Sequence, residues 1–340
     1  MDETAAAALR EAFPERSVER LTDVGPSWNG GNETVGVAFA DGGRAFCKVA
    51  VDGDGARIAR ELAVLRHVAA ERPLTVPEVL AADPDAAAPY LVTAPAPGRE
   101  LRGAWEELGG RSGGDGEADR AALLRRVGAT LATLHAERFE AHGEIAGGDG
   151  RGGLNLDRAP WPDVLLRTVE RTRRIGTSER LAHHYDAAID CIEANRDRLR
   201  DAPAALLHGD VAMPNLFVAD GGNGRGGADG AGTTDGIVPI DWELAHVGDP
   251  ARDLVRAEDQ LLSGFDERGP ERYAAALRAG YAERAGGLPP GFEERRPIYE
   301  VVRMLGRSGF IDQWTTYLGE PTADLVDRAE AELAARLAAV

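Results

Sequence analysis

The stretch from Leu206 to Leu254 constrains this chain more than any other. His208-Gly209-Asp210 stands five residues ahead of Asn215, and a short apolar run, Leu216–Val218, follows at once. A glycine-rich segment separates it from a second apolar run, Ile237–Ile240, which leads into Asp241-Trp242-Glu243. The two runs read as the arms of a hairpin. That hairpin carries Asp210 and Asn215 at one mouth and returns Asp241 beside them. Two carboxylates and an amide oxygen on one loop edge form a hard-oxygen site, which suits magnesium. A magnesium-bound nucleoside triphosphate is a reason to build one.

The basic residues sharpen this reading. Of 39, all but one are arginine; the exception is Lys48. Arginine cannot replace a compact, flexible ammonium that must fit beside phosphates under a loop. The formal net charge of −18, from 57 acidic residues, speaks against nucleic acid or an anionic membrane as partner. The acids are spread along the whole chain, which favours an acidic surface suited to high salt over an acidic pocket for a polycation. Two cysteines, Cys47 and Cys191, suggest neither a disulfide framework nor a zinc site. With no signal peptide and no apolar run of about 18 residues, the expected location is cytoplasmic.

The N-terminal part alternates between strand and turn signals after a helix at residues 4–13. Strands at 21–24, 34–39 and 44–50 are separated by a loop containing Gly25, Gly30 and Gly31, then by the turn Asp41-Gly42-Gly43. Taken alone, the first loop is an ordinary polar connection; its backbone N–H groups can also cover a triphosphate. Alternation puts Phe46, Lys48 and Ala50 on one face of the third strand and Cys47 and Val49 on the other. A helix at 56–70 buries Ile58, Leu62, Leu65 and Ala69, with Glu61 at the edge of that stripe. A carboxylate there needs a partner. Lys48 is the candidate, against a solvated Glu61 pairing with Arg57 or Arg60. Strands from Pro77 and Pro89 complete a small sheet, and Ala94-Pro-Ala-Pro-Gly98 is a stiff linker.

Beyond Gly98 the periodicity is helical, at 119–137, 163–175, 179–200, 270–284, 293–309 and 322–339. Asp249-Pro250 signals a further helix start, with Asp249 as N-cap, and Asp253 one turn later as a structural hydrogen-bonding group. His208 is expected to lock its own loop through backbone hydrogen bonds. His135 and His142 read as capping or core residues, and His183 and His184 as surface ones. Segments 109–116, 147–153 and 219–236 are glycine-rich and expected to be flexible, the last being an elongated turn.

His-Gly-Asp-(four)-Asn, Ile-Asp-Trp-Glu and Gly-Asp-Pro-(two)-Asp-Leu together resemble the aminoglycoside phosphotransferase family, small-molecule kinases with a protein-kinase-like fold. The resemblance implies an α+β, bilobal fold. Residues 1–95 form a nucleotide-binding lobe with a small antiparallel β-sheet and one helix, and residues 96–340 a larger, mainly helical catalytic and acceptor-binding lobe. It implies Asp210 as catalytic base, Asn215 and Asp241 as ligands of Mg2+, and ATP or another nucleoside triphosphate as donor. Lys48, steadied by Glu61, holds the phosphates, Gly30 and Gly31 lie in the covering loop, and adenine docks on the Ala94 carbonyl and Ala96 N–H. A small hydroxylated molecule is the acceptor, with Glu243, Asp249, Asp312, Gln313 and Trp314 as candidate lining. Two alternatives stay open: a metallohydrolase using His208, Asp210, Asp241 and His246, and a nucleotide-binding regulatory protein without turnover. Oligomeric state leaves no trace in the sequence.

Overall fold

A computed structural model describes residues 3–24, 30–110, 115–219 and 236–340. The chain begins with α1 (Glu3–Ala12), β1 (Val18–Asp23), β2 (Asn32–Phe39), β3 (Arg44–Ala50), α2 (Ala56–Glu71), β4 (Val79–Asp83) and β5 (Tyr90–Thr93). Next come β6 (Arg99–Glu100), α3 (Leu101–Gly109), α4 (Asp115–Leu134), β7 (Gly143–Gly148) and β8 (Leu154–Arg158). Helices α5 (Trp161–Ile175), α6 (His183–Ala194) and α7 (Arg196–Arg200) lead to β9 (Ala205–Leu207), β10 (Leu216–Val218), β11 (Ile237–Pro239) and β12 (His246–Gly248). The remainder is helical: α8 (Pro250–Leu262), α9 (Glu271–Ala285), α10 (Phe292–Ser308), α11 (Ile311–Leu318) and α12 (Thr322–Leu337). Among the described residues, no helix is long and apolar enough to cross a membrane.

Two compact units emerge. One comprises Met1–Glu106, Ile145–Asp157 and Pro214–Ala245; the other comprises Glu107–Glu144, Arg158–Met213 and His246–Val340. The first unit thus reaches past the expected boundary at residue 95. The reason is strand pairing: β10 pairs antiparallel with both β11 and β6, which draws the hairpin into this unit. Gly98 permits the approach. It sits at φ +92°, and a Cβ there would lie 2.1 Å from the Val218 carbonyl oxygen.

The first unit is built on an antiparallel sheet of order β1-β2-β3-β5-β4. Period-2 alternation on β3 sends Ala45, Cys47 and Val49 to a core shared with Ala5, Ala8 and Leu9 of α1 and with Val35, Val37, Tyr90 and Val92. Burial pushes the Cys47 thiol up to about 12, so Cys47 is packing material. Lys48, one residue on, therefore faces the opposite side, where α2 presents Glu61. Segment 147–153 is ordered, contrary to expectation. Asp149 accepts the N–H groups of Arg151 and Gly153, and His67 of α2 contacts the Gly152 carbonyl at 2.8 Å. Segment 111–114 and most of the third glycine-rich segment, with its expected elongated turn, lie outside the described residues, as does Gly25.

In the second unit β12 pairs antiparallel with β9 and with the first residues of β7. Helices α4 and α9 meet at two glycines: Cβ atoms at Gly128 and Gly280 would lie 2.0 Å from the carbonyl oxygens of Leu277 and Arg125. Such close backbones bury Leu124, Val127, Leu131 and Leu277 at a site that tolerates no added methyl group. Asp249 caps α8 as its sequence predicts, accepting from the Ala251 N–H, with Pro250 at the first turn.

Candidate active site

In the first unit three carboxylates converge on one ammonium. Lys48 Nζ lies 2.5 Å from Glu61 Oε2, 2.6 Å from Asp241 Oδ1 and 3.7 Å from Glu243 Oε2. Strand alternation aims the lysine, and the edge position of Glu61 on α2 brings it inward. The second oxygen of Glu61 accepts the Trp242 N–H at 3.2 Å, so the glutamate orders the backbone beside Asp241 as well as the lysine. Burial works against the ammonium, yet Asp241, Glu61 and Glu243 outweigh it and hold Lys48 above its ordinary value. Glu61 is raised by burial, with Lys48 pulling it back.

The hairpin places Asn215 and Asp241 at one end. Leu216 is opposite Pro239, and the Ile240 N–H donates to the Asn215 carbonyl at 2.9 Å. Asp241 has φ +64°, the one non-glycine residue among those described with positive φ. Aspartate tolerates this region better than most residues, but strain of about 1–3 kcal/mol there is usually kept for function.

Glu243 was expected to line an acceptor site. It is buried instead, accepting from Asn32 Nδ2 at 2.6 Å and lying 3.6 Å from Arg57. Arg60 donates to the carbonyls of Ile145 and Glu243. Neither arginine takes Glu61 from Lys48. Of the remaining positions in this unit, Gly30 has φ +63°, Gly31 accepts from the Val51 N–H, and the Ala94 N–H is spent on the Glu78 carbonyl. The linker prolines flank Ala96 as the sequence requires.

The second unit holds Asp210 on a braced loop. Asp253 accepts the N–H groups of His208 at 2.8 Å and Gly209 at 3.0 Å, and His208 Nδ1 accepts the Asp210 N–H at 3.2 Å. Burial opposes ionisation of Asp253, but His135, His208 and the loop amides outweigh it and hold the carboxyl well below the usual range. Two further residues, unforeseen from sequence, hold Asp210 itself. Arg256 Nη2 and Gln260 Nε2, one helical turn apart on α8, both reach Asp210 Oδ1 at 2.7 Å. Against burial, Arg256 and Gln260 lower the Asp210 carboxyl.

Other expectations are revised by burial. Asp249 is fully buried, bonded to Arg295 and Tyr299 at 2.6 and 2.5 Å, and so is structural. Trp314 packs edge-on against Phe265, and Asp312 lies 3.6 Å from Arg180. His246, a member of the hydrolase alternative, is buried, accepting from Arg252 at 2.8 Å and stacked on Trp161. His184, expected on the surface, is fully buried.

The model of the Phosphotransferase enzyme family matches residues 27–298. No curated protein sequence matches the chain. Solved structures resemble it over nearly its whole length. The macrolide 2'-phosphotransferase MphH of Brachybacterium faecium, an apoenzyme, is 18% identical, covering 98% of each chain with TM-score 0.54. The ternary complex of APH(2")-IIa with streptomycin and ATP is 14% identical, covering 98% of this chain and 96% of that one, TM-score 0.56. An aminoglycoside-3'-phosphotransferase of type VIII is 21% identical, covering 90% and 98%, TM-score 0.57. At these identities the likeness establishes the α+β kinase-like fold.

Proposed function

This chain belongs to the phosphotransferase enzyme family, and we propose that it moves the γ-phosphoryl group of ATP to a hydroxyl of a small acceptor. The observation that carries this reading is the grip of Lys48 on Glu61 and Asp241, at 2.5 and 2.6 Å. A lysine fixed by a helix glutamate and set against an aspartate of a metal-type motif is the arrangement kinase chemistry needs for its phosphates. The hydrolase reading does not account for that lysine, and a nucleotide-binding protein without turnover has no need of a base at Asp210.

Each residue then has a role. Lys48 steadies the α- and β-phosphates, and Glu61 fixes Lys48. Asn215 and Asp241 hold magnesium; a side-chain amide and a carboxylate at one hairpin end are the oxygen donors a small hard dication takes. When bound, magnesium neutralises charge on the phosphoryl group in transit. Gly30 and Gly31 belong to the loop over the phosphates, and the Ala94 carbonyl and Ala96 N–H receive the adenine. Asp210 orients the acceptor hydroxyl and takes its proton. A carboxyl lowered by Arg256 and Gln260 is a weaker base than an ordinary one, which fits a loose transition state in which positioning matters more than early deprotonation. ATP as donor also places the work in the cytoplasm.

The test is a panel of hydroxylated metabolites and antibiotics, scored for ATP-dependent phosphorylation in high salt. The wild type phosphorylates at least one. Asp210→Asn and Lys48→Ala each lose about 10²-fold or more in kcat/KM. Turnover unchanged in Lys48→Ala, or ATP consumption equal in Asp210→Asn and wild type, overturns the reading.

A further inference from the structure

At the start of α6 two adjacent histidines meet the middle of α12. His183 Nε2 is 2.9 Å from Glu330 Oε1, and His184 Nε2 is 3.3 Å from Glu330 Oε2. The two imidazole rings stand edge to face with centroids 4.7 Å apart. Nothing in the phosphotransfer reading uses these residues, and all of them lie within the second unit.

Hydrogen bonding favours a proton on Nδ1 of His184. The hydroxyl of Ser308 donates its one hydrogen to the Met304 carbonyl, 3.2 Å away in the same helix. Its oxygen is then an acceptor for the N–H at His184 Nδ1, 2.7 Å away. With the proton on Nδ1, the lone pair of His184 is at Nε2. That nitrogen is buried, makes no hydrogen bond among the described residues, and faces a carboxylate. A lone pair opposed to a carboxylate oxygen at this distance is repulsive unless a cation stands between them.

We propose that His183 Nε2, His184 Nε2 and Glu330 form a binding site for a divalent transition ion of the zinc type. Two imidazoles and one carboxylate are a recognised zinc donor set, and the three ligating atoms lie within 4.8 Å of one another. Magnesium and calcium, which prefer all-oxygen shells, fit it poorly. The bond from His184 Nδ1–H to Ser308 is the outer support that metal-bound histidines have, fixing tautomer and ring orientation. His183 and Glu330 are about half exposed, at 58% and 45% of their side chains, so an ion can enter from solvent and keep water as a further ligand. Binding ties α6 to α12, which carries the end of the chain.

The experiment uses the full chain, free of any affinity tag, stripped of metal and dialysed against buffered zinc with excess magnesium present. Zinc per chain is measured by elemental analysis and thermal melting is followed in parallel. The wild type takes up one zinc ion that His183→Ala and Glu330→Gln do not, and zinc raises the melting temperature of the wild type but not of those two variants. Ser308→Ala retains the ligands and loses their support, so its affinity falls about 10- to 100-fold. Zinc uptake that is absent in the wild type, or equal in the wild type and both ligand variants, overturns the proposal. The exposed positions of His183 and Glu330 keep those two variants folded, which circular dichroism verifies.

Discussion

Replacing Lys48 by methionine tests the physics on which the candidate site rests. The substitution leaves Glu61, Asp241 and Glu243 without the ammonium within 3.7 Å of all three. Their fates differ with exposure. The Asp241 side chain is 33% exposed and recovers solvation, whereas Glu61 and Glu243 are only 6% and 8% exposed. Glu243 keeps Asn32 at 2.6 Å and Arg57 at 3.6 Å. Glu61 keeps the Trp242 N–H, a neutral donor at 3.2 Å. The penalty therefore falls mainly on Glu61, and removing one partner of such a buried pair costs about 3–5 kcal/mol. Lys48→Met combined with Glu61→Gln removes both charges, and a neutral glutamine still accepts from Trp242. The double variant should be within about 1–2 kcal/mol of wild type, recovering about 1–4 kcal/mol of the single variant's loss.

The assay is urea unfolding of the four proteins of that cycle near pH 8 and near pH 5.5, with unchanged m-values as the condition for comparison. Burial already raises Glu61, and the pull of Lys48 opposes that rise. In Lys48→Met the pull is gone and the folded-state value climbs further above the unfolded one. A group raised on folding contributes stability fully below its unfolded value, ordinarily 4.5 for glutamate, and loses it as pH rises through the folded value. The deficit of Lys48→Met is thus larger near pH 8 than near pH 5.5, and the double variant lacks this dependence. A single variant within 1 kcal/mol of wild type at both pH values, or a double variant no better than the single, refutes the buried-pair reasoning.

Three further outcomes follow from the second unit. Because Arg256 and Gln260 outweigh burial in lowering Asp210, Arg256→Leu should move the acidic limb of kcat/KM to higher pH and Gln260→Leu should move it less; superimposable limbs contradict this. Asp253→Ala strips the acceptor from the buried N–H groups of His208 and Gly209 and should cost about 2–6 kcal/mol in urea unfolding. Since Asp253 is depressed on folding, its contribution is present above the ordinary 3.8 and is lost as pH falls below it; a loss under 1 kcal/mol at pH 7 removes its bracing role. Gly280→Ala would set a Cβ 2.0 Å from the Arg125 carbonyl oxygen and should destabilise by about 1–3 kcal/mol through forced separation of α4 and α9, seen as a lower melting temperature.

Elements announced by a repeating pattern were legible in the sequence. The apolar stripe of α2, the alternation of β3, and the Asp249-Pro250 start of α8 each extend over enough residues to declare a period or a cap, although Ala69, expected in that stripe, is exposed and Val68 is buried in its place. Strands β6, β9 and β12 have only two or three residues, too few for a period of two to register, and pairing partners far along the chain define them. Helix α11 buries only Ile311, so it has no stripe to read. Residues 179–200 read as one helix because α6 and α7 are separated by Asn195 alone, whose side chain donates to the Cys191 carbonyl at 2.8 Å. Segment 147–153 was misjudged because glycine content signals freedom of the unfolded chain, while Asp149 and His67 supply the order.

The site divides along a different line, that of how rare each residue type is in this chain. Lysine occurs once, so Lys48 carries information by its presence, and its pairing with Glu61 could be anticipated, whereas its direct contact with Asp241 across 193 residues could not. Arginine occurs 38 times. Nothing local therefore separates Arg256, which grips Asp210, from Arg180, whose side chain is 63% exposed beside Asp312. Abundance erases the signal that scarcity supplies. The same holds for the acids: Glu243 was noticed through its motif, but only its contacts with Asn32 and Arg57 show it to be a buried member of the charge balance around Lys48. For a chain of this composition, the informative residues are those the bias should have removed and did not, together with those whose charge is buried against a partner that sequence distance conceals.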